Sequence, residues 1–215
     1  MEENIFLEFI SKSFEEYIQS GPRSCKKVDL LHQGIKSIIE KKLPKIYHVE
    51  IEQNVQSINT SGKKRCDIVL YKNKKVFAVF PLKFIMTNYY QNKNNSWEVL
   101  TGECVHLKWE NPALHIIPIN IIFNTVPYLT KDSEIKCFEE ITYNNSFKIL
   151  EILLEKNIAS DIISYIIDVQ HMSHINEKYN KSPKIKNFNK DTPYRRLKDI
   201  ISKLNQSSSK SSQKC

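Results

Sequence analysis

No two of the five cysteines, Cys25, Cys66, Cys104, Cys137 and Cys215, stand in a Cys-x-x-Cys spacing. That removes the usual framework of a cysteine zinc cluster. An odd, scattered set fits reduced thiols in an intracellular protein. No stretch approaches the ~18 apolar residues of a membrane span. The N-terminal MEENIFLEFISK is acidic, and its apolar run is too short for a signal peptide. No internal repeat is present. These absences predict a soluble, cytoplasmic protein with no membrane partner.

What remains is apolar material for a core and an excess of positive charge. The chain has 215 residues, of which 40% are hydrophobic, enough for one large domain or one domain plus a tail. A net charge of +8 favours nucleic acid, an anionic membrane or an acidic protein as partner, without choosing among them.

Hydrophobic period places the elements. Phe6, Ile10, Phe14, Tyr17 and Ile18 predict a helix over 3–19, ended by Gly21-Pro22. Leu31, Ile35, Ile38, Ile39 and Leu43 predict a second over 28–43, stopped by Pro44. Alternation from Ile46 to Glu52 predicts a strand with one apolar face. Two more strands follow, one around Asp67 and one over 75–84, joined by a polar Lys-Asn-Lys-Lys turn. A helix is expected over 96–109, with Trp97, Leu100, Cys104 and Leu107 on one stripe. The near-continuous apolar run 115–124 predicts a strand buried on both faces, and 146–169 a helix or helix pair. The expected organisation is a single domain over 1–177, with its core at about 28–125, then a basic Ser/Lys-rich segment, 178–215, whose last eleven residues are expected to be disordered.

Fifteen residues separate Asp67 from Lys83, so a hairpin of ordinary register brings a carboxylate and an ammonium to one end of the sheet. A carboxylate there suits Mg²⁺, which prefers oxygen ligands. Such an ion polarises a phosphate and activates water, while a lysine orients the water or stabilises the developing charge. A second acid is needed. The candidates are Glu98 and Glu103 on the following helix, and Glu50 or Glu52 on the first strand. At ~100° per residue, Glu103 lies about 80° from the centre of the apolar stripe and Glu98 about 140°. An Asp in a strand flanked by Lys and Arg also fits a plain surface ion pair.

Together these residues resemble the PD-(D/E)xK nucleases, which include many type II restriction endonucleases. The resemblance covers about residues 28–125 and implies an α/β fold, a restriction-endonuclease-like αβββαβ core with a mixed central sheet flanked by helices, plus extra N- and C-terminal helices. Asp67 matches the first acid of the motif and Lys83 its lysine. The second acid normally lies two residues before the lysine, where this chain has Pro81. Some members move that acid to the next helix, so Glu98 or Glu103 would serve. The resemblance implies Mg²⁺-dependent hydrolysis of DNA phosphodiester bonds, most naturally by a type II restriction endonuclease, and a homodimer that cuts both strands of a palindrome. The alternative is a catalytically degenerate nucleic-acid-binding protein on the same fold. Pro81 also lacks a strand N–H, which predicts a bulge or an edge there.

Nucleic-acid contacts are expected from Lys63, Lys64 and Arg65 before the second strand, and from Asn88, Gln91 and Asn92 after Lys83. Tyr89 and Tyr90 either stack on a base or pack. His171 and His174, three apart, read as exposed histidines rather than a metal pair, and Cys104 reads as core.

Overall fold

The computed structural model describes residues 2–146, 148–189, 197, 199, 200, 202 and 203. The tail expected to be disordered, 205–215, lies outside these residues. The fold is mixed α/β, with helices packed on mixed sheets. No helix among the described residues is long and apolar enough to cross a membrane.

Two helices open the chain, α1 (Glu2–Ser20) and α2 (Lys26–Glu40). On α1 the residues Phe6, Ile10, Phe14 and Tyr17 are buried, as their helical spacing requires. Gly21, at φ 81, ends this helix by donating its N–H to Tyr17 O at 2.9 Å, a left-handed turn that glycine takes without strain. The rings of α1 seat it on the sheet: Phe6 lies 4.8 Å from Tyr165, and Phe14 4.8 Å from Phe123. At Gly34 the two helices approach so closely that a Cβ would fall 2.4 Å from the Phe9 ring.

A meander follows: β1 (Tyr47–Gln56), β2 (Lys63–Lys72) and β3 (Lys75–Phe80), each antiparallel to the next. Asn73 and Lys74 both have positive φ, which closes the β2–β3 hairpin in two residues. The expected third strand is interrupted. It resumes after Pro81 as β4 (Leu82–Phe84). Helix α3 (Tyr89–Glu110) then carries the chain across to a strand that is interrupted in the same way, β5 (His115–Ile116) and β6 (Ile119–Phe123). Here β3 runs parallel to β5, and β4 parallel to β6. The register places Pro81 opposite Pro118, and neither can donate a ladder hydrogen bond. The bonds Ile117 N to Val79 O (2.9 Å) and Ile119 N to Pro81 O (2.8 Å) carry the pairing across this break. No bulge falls at Pro81, but the expected edge begins there: β3 is paired on both sides, whereas β4, which starts at Leu82, is the edge strand of its ladder. The sheet steps at this point, from the β1-β2-β3-β5 ladder to the β10-β9-β6-β4 ladder.

The remaining elements are β7 (Thr125–Leu129), β8 (Ile135–Glu140), α4 (Tyr143–Ser146), α5 (Lys148–Glu155), β9 (Ile163–Gln170) and β10 (Lys184–Phe188). The ladders run β1-β2-β3-β5 and β10-β9-β6-β4, with β7–β8 a separate antiparallel pair. The helical expectation for 146–169 holds only as far as Glu155. Ile163–Gln170 is a strand beside β6, because a run of β-branched residues buried on both faces carries no period that separates strand from helix. The β7–β8 hairpin was not expected.

Alanine is the better helix former by about 1 kcal/mol, so an uncrowded glycine at 34 would gain from replacement. The Phe9 contact reverses this: Gly34→Ala is expected to lose about 1–3 kcal/mol through overpacking, measured by urea unfolding.

Candidate functional site

The break between β3 and β4 lies beside Asp67. The β2–β3 register puts Asp67 opposite Pro81, which has no N–H to offer. The Leu82 backbone N–H donates to Asp67 Oδ2 at 2.6 Å. Backbone groups alternate sides along a strand: Pro81 O accepts from Ile119 N, so the next N–H, that of Leu82, faces β2 and holds the Asp67 carboxylate in one orientation. Two residues beyond Pro81, Lys83 on β4 extends its Nζ to 3.9 Å from Glu103 Oε2 on α3.

Glu103 is 7% exposed, and its Oε2 also lies 3.5 Å from Lys64 Nζ on β2. Burial pushes this carboxyl above its ordinary value. Lys83 and Lys64 pull it back down, and the charge of Asp67 pushes it up again. The net direction is upward, so the two ammoniums do not fully compensate the buried charge. Glu98 is exposed on another side of α3, beside Asn94, Trp97 and Thr101. Of the two glutamates offered by the helix, Glu103 is the one turned to the sheet. Buried nearby are two thiols, Cys66, pushed up to about 12 by burial, and Cys104, also pushed up by burial, in keeping with Cys104 as core.

On β1, Glu50 pairs with Val69 and is exposed, so it does not approach Asp67. Glu52 stands opposite Asp67, with φ 55 in an otherwise unbroken register. Its Oε2 accepts from Arg65 Nε at 2.7 Å, and its Oε1 lies 3.0 Å from His32 Nδ1 on α2. Ligand atoms of Asp29, His32 and Glu52 come within 4.8 Å of one another and could hold a metal ion. His32 was not singled out from sequence. The available signal was Asp29 and His32 at i,i+3 on one helix face.

Asn120 was also missed. It is the β6 neighbour of Lys83, with Ser164 its neighbour on β9, so the three share one face of the sheet. Asn120 and Ser164 are buried, and neither Asn120 Nδ2 nor Ser164 Oγ has a hydrogen-bond partner. A lone amide inside the apolar run IIPINIIF was the legible sign.

The expected nucleic-acid contacts separate into two groups. Lys63 and Arg65 are exposed, Arg65 on Glu52, while Lys64 reaches inward to Glu103. Asn88 has φ 53. Its amide donates to Gln91 Oε1 and Leu129 O and accepts from Leu129 N at 2.9 Å, tying the start of α3 to β7. Asn92 donates to Thr87 O and joins Lys83, Asn95 and Ser96 in lining a groove of about 400 Å³. Tyr89 is buried, and Tyr90 is half-exposed with Lys93 Nζ 4.8 Å from its ring centre. The Glu139 carboxylate accepts from Tyr89 N (2.6 Å) and Tyr90 N (3.3 Å) and so occupies the N-terminus of α3. His174 is exposed as expected. His171 is not: it packs on Phe138 at 4.6 Å, its Nε2 lies 3.1 Å from Thr125 O, and burial lowers its pKa.

Comparison with protein-family models, with characterised proteins and with solved structures returns no match to this chain.

The raised Glu103 carboxyl fixes the sign of a pH effect. The stability it contributes is complete below the ordinary carboxylate value and is lost as pH rises through its folded value. Glu103→Gln abolishes that loss. In chelator, the unfolding free energy of the variant minus that of the wild type is expected to climb from acid to neutral pH. A flat difference would contradict the burial of this charge.

Proposed function

We propose that the protein is a Mg²⁺-dependent endodeoxyribonuclease with a restriction-endonuclease-like core, most akin to the type II restriction enzymes. The observation that carries this reading is the turn of Glu103 toward Lys83 and Lys64, within electrostatic reach of Asp67. It offers a helix-borne acid in place of the one lost at Pro81. The order α2-β1-β2-β3/β4-α3-β5/β6 and the net charge of +8 support it as well.

The donor set suits the ion. Asp67 and Glu103 offer only carboxylate oxygens, which hard divalent cations take. Glu103 is a buried carboxylate whose neighbouring ammoniums leave it above its ordinary value, so added positive charge would be favourable there. Asp67, through the oxygen not held by Leu82, and Glu103 would hold the ion. Bound Mg²⁺ supplies Lewis-acid polarisation of the phosphate and a more acidic bound water.

The residues of the chain do the positioning. The Leu82 N–H holds the Asp67 carboxylate in one orientation. Lys83, half-buried at the groove, donates to the attacking water or a phosphate oxygen and stabilises the charge that builds there. Asn92, Asn95 and Ser96 offer polar groups along the groove for the sugar-phosphate backbone. Exposed Lys63 and Arg65 add cationic contacts. A homodimer belongs to this reading, since a palindrome presents two strands to cut.

One observation favours the alternative, a non-cleaving nucleic-acid-binding protein. Lys64 already stands 3.5 Å from Glu103, an ammonium where a metal would add charge. The two readings part in one experiment on supercoiled and linear duplex DNA with Mg²⁺. The nuclease reading predicts cleavage by the wild type, no detectable cleavage by Asp67→Ala, and a fall of about 100-fold or more for Lys83→Ala or Glu103→Gln, with DNA binding retained. Salt-sensitive DNA binding without cleavage of any substrate would establish the alternative. Cleavage by Asp67→Ala at the wild-type rate would remove Asp67 from the site.

A further inference from the structure

We infer that Asp29, His32 and Glu52 form a second metal site, for a divalent transition metal of the zinc class, apart from the Asp67–Glu103 pair. The inference does not depend on the nuclease reading.

Asp29 and His32 lie one turn apart on α2, and Glu52 reaches them from β1. Their ligand atoms cluster within 4.8 Å. His32 is 1% exposed, and neither of its ring nitrogens has a hydrogen-bond partner. The 3.0 Å approach of Nδ1 to Glu52 Oε1 lacks hydrogen-bond alignment. A buried imidazole without a partner is unusual, because protein interiors satisfy such groups. A metal ion accepting its lone pair removes the anomaly.

The carboxylates are arranged to suit. Glu52 takes a left-handed φ of 55 while the β1–β2 register continues unchanged on both sides. Opposite Asp67, an ordinary strand conformation would point two carboxylates the same way. The Glu52 side chain is turned instead to α2, where Arg65 holds Oε2 at 2.7 Å and Oε1 faces His32. Asp29 is half-exposed, which gives an ion a route from solvent.

One imidazole and two carboxylates make a mixed nitrogen and oxygen set. Zinc and its neighbours in the first transition row take such sets, whereas Mg²⁺ selects oxygen and keeps its waters. Three protein ligands also leave a position open for water or another donor. An ion there would clamp α2 to the sheet opposite Asp67.

Co²⁺ serves as a visible probe for zinc. The full-length wild type is expected to bind it with visible absorption bands that Zn²⁺ displaces and excess Mg²⁺ does not. His32→Gln and Asp29→Asn should lose those bands and weaken binding by more than about 100-fold, since even outer partners of metal ligands are worth 10–100-fold. Glu103→Gln should keep them. In the wild type, one equivalent of Mn²⁺ should broaden the His32 ring resonances, a readout that requires no variant to fold. Absence of bands, bands that survive in both variants, displacement by Mg²⁺, bands that depend on Glu103, or an unperturbed His32 ring would each overturn the site.

Discussion

A single hydrogen bond, from the Leu82 N–H to the Asp67 carboxylate, ties the step in the sheet to the candidate site. At the step Pro81 and Pro118 stand opposite each other in register, and Pro81 has no N–H to give the neighbouring strand, while the Pro118 backbone faces β9. Two backbone hydrogen bonds, Ile117 N to Val79 O and Ile119 N to Pro81 O, carry the pairing across the step. The first donor after Pro81 meets a side chain rather than the neighbouring backbone. Asp67 is oriented by that donor, and Lys83, two residues after Pro81, by the resumed strand.

Charge balance around α3 follows from that step. Glu103 is buried against Lys83 and Lys64 and feels Asp67, and burial outweighs both ammoniums. A glutamate in that position is a stability liability unless something more positive joins it. Across β2, Glu52 avoids adding to the same negative field. It turns out of the sheet to Arg65 and His32. Two acidic groups opposite each other in register are thus assigned to different sides and different partners.

The start of α3 shows why some elements were not legible. Its first turn reads as a polar loop, TNYYQNKNNS, and the sequence signals favoured a start near Ser96. The helix begins at Tyr89 because Glu139, fifty residues later, caps it and because Asn88 is tied to Leu129. Such partners have no local signature. The strand at Ile163–Gln170 failed for a different reason: an apolar run buried on both faces has no period to read. Elements with one buried face, α1, α2 and β1, were legible in position and type, and the β2–β3 hairpin, buried on both faces, was legible from its polar Lys-Asn-Lys-Lys turn.

For the candidate site, residue spacing paired Asp67 with Lys83 and left Glu50, Glu52, Glu98 and Glu103 open as the second acid. The resemblance to PD-(D/E)xK nucleases pointed to the helix, and the angle from the apolar stripe ranked Glu103 above Glu98. Spacing and angle are local, set by the repeat of a strand or a helix, and so they are written in the order of residues. What the folded chain alone decided was which groups from distant segments meet. Lys64 joins Glu103, Glu52 leaves Asp67 for His32, and Asn120 lies beside Lys83. These depend on strand register and on how helices seat on the sheet. Both are settled by long-range packing, and no local pattern encodes them.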